Sequence, residues 1–403
     1  MLPLPAIYVK SIGLSCALWG NVSLAQAGQF EVIGAAVKQA VGAQHRWEDW
    51  RSMRKPIATI KDVAREAGVS ISTVSSVVNG NKPVSAELAR RVREAIEKTE
   101  FHPNQMARSL HAKRTRTLAY LAPDITNVAI LRTFRAVEAV AHARGYAVFL
   151  LGTDGSIEAT SQAIDKVIGL KMDGAFFTLN WAMCQPEVRL SRLTERSIAM
   201  VGVSGSYDIP EIDCFLHDEE GGGAQIGNYL YRLGHRNVLF IGPTSSRAAE
   251  TRSGGLRSAY ARSQPGSEAG IALVPTDGYS ASSAYDAVQA TLGRQSRFTA
   301  VVAFNDAVAT GALAALYDNA LSIPEDVSFI SFGNGHRDFF RPQITSITFD
   351  EDRIAELAAN RLIDRIEGGT IEPPSHEYLP LSLTIRQSTG RVTVEVGGHS
   401  RPA

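Results

Sequence analysis

The stretch Ala58–Ser85, ATIKDVAREAGVSISTVSSVVNGNKPVS, decides how the front of this chain folds. Thr59 is placed to cap a helix in which Ile60, Val63, Ala64 and Ala67 recur at helical spacing. Gly68 stops that helix, because the sharp turn needs a positive φ that glycine adopts at little cost. Val69 plugs the turn, and Ser70 caps a second helix from Ile71 to Asn79. There Val74, Val77 and Val78 form a narrow buried stripe, leaving Ile71, Ser72, Thr73, Ser75 and Ser76 facing outwards. A small, uncharged, hydroxyl-rich face suits close approach to a duplex, where Ser and Thr can donate to phosphates and base edges. Asn79-Gly80-Asn81 makes a turn, and Ser85 caps a third helix with Leu88, Val92 and Ile96 inward and Arg90, Arg91, Arg93 and Lys98 on its surface. Helix, glycine turn, helix is a DNA-binding unit, although the spacing alone also fits a generic three-helix bundle.

Charge is compatible with the first reading but does not decide it, because on charge alone a solvated charged helix is the simpler account. The 403 residues carry 41 Lys+Arg and 41 Asp+Glu, but residues 51–116 hold 14 basic and 6 acidic side chains, a net of +8. Residues 1–50 balance at three of each, so the remainder is net −8. A basic front end on an acidic body suggests a polyanion-binding module attached to something else. With 44% apolar and 20% charged residues the chain is globular, and its length allows two or three domains. Three widely spaced cysteines, Cys16, Cys184 and Cys214, suit neither a disulfide framework nor a zinc site, and no apolar run reaches the ~18 residues of a membrane span.

Outside the head, residues 1–52 read as an N-terminal extension, disordered or arising from a mis-called start before Met53. Within it Ser11–Trp19 followed by Ala25-Gln26-Ala27 has the outline of a secretory signal, which would conflict with DNA binding. Residues 53–103 form the helix-turn-helix domain, and residues 104–116 a hinge and linker in which Asn104 can cap a segment too short to be a stable isolated helix. Over residues 117–390 short apolar runs (118–122, 147–151, 174–178, 198–203, 238–241, 300–304) alternate with helical patterns such as 130–144 and 159–170. That alternation predicts a doubly wound α/β body of two lobes with a ligand at the carboxyl ends of the strands, and residues 391–403 are a tail. No nucleophile elbow, phosphate loop, dinucleotide fingerprint or metalloprotease motif is present; Gly221-Gly222-Gly223 matches none of these, and His235 reads as a loop histidine. The chain therefore reads as a binding protein with no cofactor or metal, rather than an enzyme.

The run from Ala58, continued by Phe101-His102-Pro103-Asn104 and Ala107-Arg108-Ser109-Leu110, resembles the head of the LacI/GalR (lac-repressor) family of transcription regulators. The resemblance extends through Asp173-Gly174, Leu233-Gly234-His235-Arg236, Phe304-Asn305-Asp306-Ala307, Ile323-Pro324-Glu325-Asp326-Val327, Thr345-Ser346-Ile347 and Leu383 to Ser388. It implies a helix-turn-helix head on a periplasmic-binding-protein-like body, and a homodimer on a pseudopalindromic duplex operator. By the same resemblance Thr59, Ile71, Ser72, Thr73, Ser75, Ser76 and Asn79 contact DNA. Asn104 and Ala107 belong to a hinge whose Leu110 enters the minor groove, with Lys113, Arg114 and Arg116 adding phosphate contacts. Ser76 stands where relatives place a longer side chain.

A small-molecule effector, a carbohydrate or related metabolite, is implied at Arg252 and Asp306, with Asn127 and Trp181 as further effector-binding candidates; taken alone, Arg252 reads as a surface residue and Asp306 as a helix N-cap. The family's aromatic run after the first strand is replaced by Asn127-Val128-Ala129-Ile130, leaving Trp181 or Phe134 as substitutes, and Phe332-Gly333-Asn334-Gly335 also departs from the usual pattern. The expected protein is a cytoplasmic regulator, by family resemblance a repressor, without membrane association; an exported solute-binding protein is the second reading.

Overall fold

The computed structural model describes residues 58–79, 82–101, 114–244, 246–263, 270–293, 298–333, 340–369 and 372–392. The chain divides into a head unit and a body unit, each taken by itself below. In the head, α1 (Ile60–Ala67), α2 (Ile71–Asn79) and α3 (Ala86–Thr99) close around Val63, Ala64, Ala67, Val74, Val92, Ala95 and Phe101. Asp62 secures the start of α1: the N–H and the hydroxyl of Thr59 both donate to its Oδ2, at 2.9 and 2.7 Å. Gly68 ends α1 at φ 62°, and Ser70 Oγ accepts from the Thr73 N–H at 3.1 Å to start α2. The turn is clamped from α3 by Arg91, whose guanidinium donates to the carbonyls of Ala67 (2.6 Å) and Gly68 (3.3 Å).

The body elements run β1 (Thr117–Ala122), α4 (Val128–Ala143), β2 (Ala147–Gly152), α5 (Ile157–Gly169), β3 (Gly174–Leu179), α6 (Ser191–Thr194), β4 (Ala199–Gly205) and β5 (Asp213–His217). They continue with α7 (Glu219–Arg232), β6 (Asn237–Pro243), α8 (Arg247–Ser263), β7 (Gly270–Thr276), α9 (Ala281–Leu292), β8 (Ala300–Ala303) and α10 (Asp306–Asp318). The last elements are β9 (Ser328–Phe332), β10 (Thr345–Thr348), α11 (Glu351–Glu367), β11 (His376–Leu379) and β12 (Ser382–Thr384). Two six-stranded sheets result, ordered β11-β5-β4-β3-β1-β2 and β12-β10-β9-β8-β6-β7, parallel apart from the β10–β12 pair. The expected two-lobed α/β body is therefore present. Helix starts differ from the sequence expectation by two residues because caps set them: Asn127 Oδ1 accepts from the Ala129 N–H and Ser156 Oγ from the Ala159 N–H.

The chain passes between lobes after β5, after β10 and after β11. Helix α11 leaves the second lobe to bury Ile354, Ala355, Ala358, Ala359, Leu362 and Ile363 in the first. It is tied there by Asp213, wholly buried, whose carboxylate accepts from Arg361 (2.6 Å) and Arg365. Burial alone would raise the Asp213 pKa, but hydrogen bonds from Arg365 and Ser375 and the two positive charges hold it below the ordinary value. His235 is not a loose loop residue: it is buried and bridges Thr299 Oγ1 (2.9 Å) to the Gly390 carbonyl (3.0 Å), fastening the C-terminal segment to the second lobe.

The glycine-rich start of α7 serves helix packing. A Cβ at Gly223 would overlap the Arg252 carbonyl, one at Gly255 the Glu220 carbonyl, and one at Gly227 would lie 2.7 Å from both Ala259 Cβ and the Leu256 carbonyl oxygen. Helices α7 and α8 thus touch backbone to backbone. Gly223→Ala should force them apart and cost roughly 1–3 kcal/mol or more. Urea denaturation measures this, and an unchanged midpoint would mean that the contact can slide without penalty.

Candidate functional site

Two regions concentrate the residues singled out in the sequence. On the head, Ile71 is 46% exposed and Ser72 is exposed, while Thr73, Ser75 and Ser76 are half-buried on the flank of α2. Ser70 Oγ lies 2.7 Å from Ser72 Oγ and 2.8 Å from Thr73 Oγ1, so the hydroxyls form a chain at the helix start. No acidic residue stands in the first turn of α2, and the positive end of the helix is unopposed there by a carboxylate of its own.

Much of the basic surface of α3 is engaged within the head. Arg90 pairs with Glu87 and Glu94, Lys98 with Glu66 at 2.5 Å, and Arg91 holds the α1–α2 turn. Asn79 closes α2, but its side chain, like Asn104, Ala107, Leu110 and Lys113 of the hinge, lies outside the described residues. Arg116, expected as a phosphate contact, is docked on the body: its N–H donates to Asp173 Oδ2 (2.7 Å), and its guanidinium donates to the Arg144 carbonyl and lies over Tyr146.

In the body, Arg252 on α8 is a buried residue, contrary to its context-free reading. Its Nε and Nη2 donate to the two carboxylate oxygens of Glu219, the latter at 2.8 Å, and its Nη1 to the Phe304 carbonyl at 2.5 Å. Its guanidinium carbon lies 4.4, 4.6 and 5.5 Å from the ring centres of Phe304, Phe332 and Phe349. Glu219, the first residue of α7, Phe304 after β8, Phe332 ending β9 and Phe349 after β10 bring this cluster to the carboxyl ends of the strands. Asp306 opens α10 but does not cap it; Asn305 Oδ1 does, accepting from the Val308 N–H at 2.8 Å. The Asp306 carboxylate lies against Gly333, at φ 124°, where a Cβ would come within 2.6–2.8 Å of it. Tyr279 packs against Phe304 with ring centres 5.4 Å apart and planes tilted by 43°, and it is half exposed.

Arg252 and Asp306 are thus gathered around Phe304 and Phe332. Asn127 caps α4, and Trp181, 54% exposed, follows β3; both lie on the first lobe, whereas the Arg252 cluster is built on the second. Two groups had no sequence signal. Glu219 is 33 residues from Arg252, and His217 ends β5 at the first crossover, where its ring meets Phe349 edge-on at 5.0 Å. His217 is 4% exposed, and among the described residues neither ring nitrogen has a hydrogen-bond partner.

Residues 59–104 match the family described as "Bacterial regulatory proteins, lacI family", and residues 228–389 match a periplasmic binding protein-like domain. The HTH-type transcriptional repressor PurR of Erwinia tasmaniensis is 31% identical over 339 residues, spanning 82% of this chain and 96% of that protein. The chain belongs to the LacI family. Its fold matches the lac repressor dimer bound to operator and an anti-inducer, with a TM-score of 0.72, 23% identity and coverage of 83% of this chain and all of that one. It also matches a LacI family regulator from Enterococcus faecium with bound ribose (TM-score 0.62, 25% identity, 69% of this chain and 100% of that one). The LacI-family relatives are transcription regulators rather than enzymes, and the exported solute-binding reading finds no support among them. Among the described residues no helix is long and apolar enough to cross a membrane.

Burial pushes the pKa of His217 down to about 4, with the charge of Glu219 opposing and that of Arg252 reinforcing the shift. Its ordinary pKa is about 6.5, so the folded state is favoured fully above that value and loses stability as pH falls from about 6.5 towards 4. His217→Phe removes this contribution. Relative to the wild type, the variant should gain stability between pH 7.5 and pH 5 in urea melts, and an identical difference at both pH values would show that His217 does not titrate there.

Proposed function

We propose that this protein is a homodimeric, cytoplasmic repressor that reads a pseudopalindromic operator and releases or tightens on it when a small molecule enters the cleft between its lobes. The observation that carries the reading is the exposed, acid-free start of α2, with Ile71 and Ser72 outermost, on a head of the LacI family. Ile71, Ser72 and Ser76 would read base edges in the major groove, while Thr59, Thr73, Ser75 and Asn79 meet the backbone. Asn104 and Ala107 would support a paired hinge with Leu110 in the minor groove. Ser76 is short, so its base contact is direct only at close approach and otherwise runs through water.

For the effector, Asp306 would accept hydrogen bonds from ligand hydroxyls, Tyr279 would stack on a ring, Arg252 would line the floor, and Asn127 and Trp181 would close from the other lobe. A ligand bridging the lobes favours one lobe angle over another, and that difference reaches the hinge. A sugar or a related metabolite suits these groups, in keeping with the ribose bound to the Enterococcus faecium relative.

Selection from a random duplex library with the purified protein tests the reading. A two-fold-symmetric site should be enriched, with Leu110→Ala binding it at least ~10-fold more weakly and Ser76→Ala altering preference at about one base pair per half-site. No enriched site at low salt would sink it.

A further inference from the structure

The position expected to grip an effector is already gripped. Arg252 spends three of its N–H groups on protein acceptors, two of them on both oxygens of Glu219, while Phe304, Phe332 and Phe349 surround its guanidinium. Glu219 and Arg252 are 7% and 8% exposed, so their charges cancel inside the wall rather than in water. The pairing is built in. Glu219 is held at the amino end of α7, where the helix dipole favours a carboxylate, and the glycine contacts of α7 with α8 bring the two side chains within reach.

Beside the pair lies His217, almost wholly buried, against Phe349 and with both nitrogens unpaired among the described residues. A buried polar group without a partner is costly, and here it faces the same cluster of rings. A neutral imidazole offers one donor and one acceptor, which matches a hydroxyl or an amide better than an anion.

We propose that Glu219 occupies the anion position of the cleft, so that the effector of this protein is uncharged and is met at the cleft floor by the unpaired imidazole of His217. This rests on the effector-cleft reading above and adds the charge class of the ligand. An acid or a phosphate ester reaching Arg252 must either displace Glu219 or sit beside its charge, and both are unfavourable in a dry wall.

Inorganic phosphate is the probe. Calorimetric titrations and melting curves would be run on the full-length wild type, Arg252→Gln, Glu219→Gln and the double variant. The basic head can itself hold phosphate, so the readout is the part of phosphate binding that depends on Arg252. The proposal expects none in the wild type, where the titration should superimpose on that of Arg252→Gln. In Glu219→Gln, whose fold is checked by circular dichroism, phosphate should bind at least ~10-fold more tightly than in the double variant and raise Tm with concentration. Phosphate binding by the wild type that Arg252→Gln abolishes overturns the proposal. So does a folded Glu219→Gln that gains nothing. Should Glu219→Gln not fold, Glu219→Ala replaces it, and the wild-type comparison with Arg252→Gln decides independently. Operator selection is read separately, so loss of DNA recognition would sink the regulator reading without touching this result.

Discussion

Two helices that touch backbone to backbone set the geometry on which the cleft depends. Because α7 and α8 carry glycine at their points of contact, their axes lie closer than side chains would allow, and Glu219 comes within hydrogen-bonding reach of Arg252. Three phenylalanines from the ends of β8, β9 and β10 then enclose the pair. A buried ion pair of this kind adds little net stability compared with a well-packed apolar substitute, but breaking one side of it leaves an uncompensated charge. Its role is to specify the wall: which charge is present, where it points, and that it is already balanced.

The head works by a related economy. It is strongly basic by composition, yet much of that charge on α3 is used inside the head: Arg91 on carbonyls of the α1–α2 turn, Arg90 on Glu87 and Glu94, and Lys98 on Glu66. Exposed pairs of this sort contribute little to stability, but they remove cations from the phosphate-binding inventory. What the head presents on α2 is a helix end and a row of hydroxyls, features that orient a protein on a duplex more than they attract it.

The head was legible because its determinants are local. Thr59, Gly68 and Ser70 act on residues within a few positions, so their reading from sequence survives in the structure almost residue for residue. The strands of the body were legible as apolar runs for the same reason, and the helix starts were misjudged only where Asn127 and Ser156 begin a helix earlier than its apolar face does. The cleft was legible only in part. Arg252 and Asp306 were found through family resemblance, but the Glu219 partner, the His217 position and the Tyr279 contact with Phe304 depend on pairings between distant segments that no spacing encodes. Arg116, expected at a phosphate, lies on the body beside a half-buried aspartate and a tyrosine ring, a placement that a basic residue near a hinge does not announce in sequence.

The three crossings between lobes have a consequence for how the protein is made. The first lobe contains β1 to β5, but its sheet is completed by β11, and one of its cores is closed by α11. A chain emerging from the ribosome has therefore synthesised β6 to β10 of the second lobe before the first lobe can finish its own core. Leu118, Tyr120 and Phe176 must wait, uncovered on one side, for Ile354 and Leu362 more than 170 residues later. Through that interval part of the first-lobe core has no cover, the kind of exposed apolar surface on a partly made chain that chaperones shield.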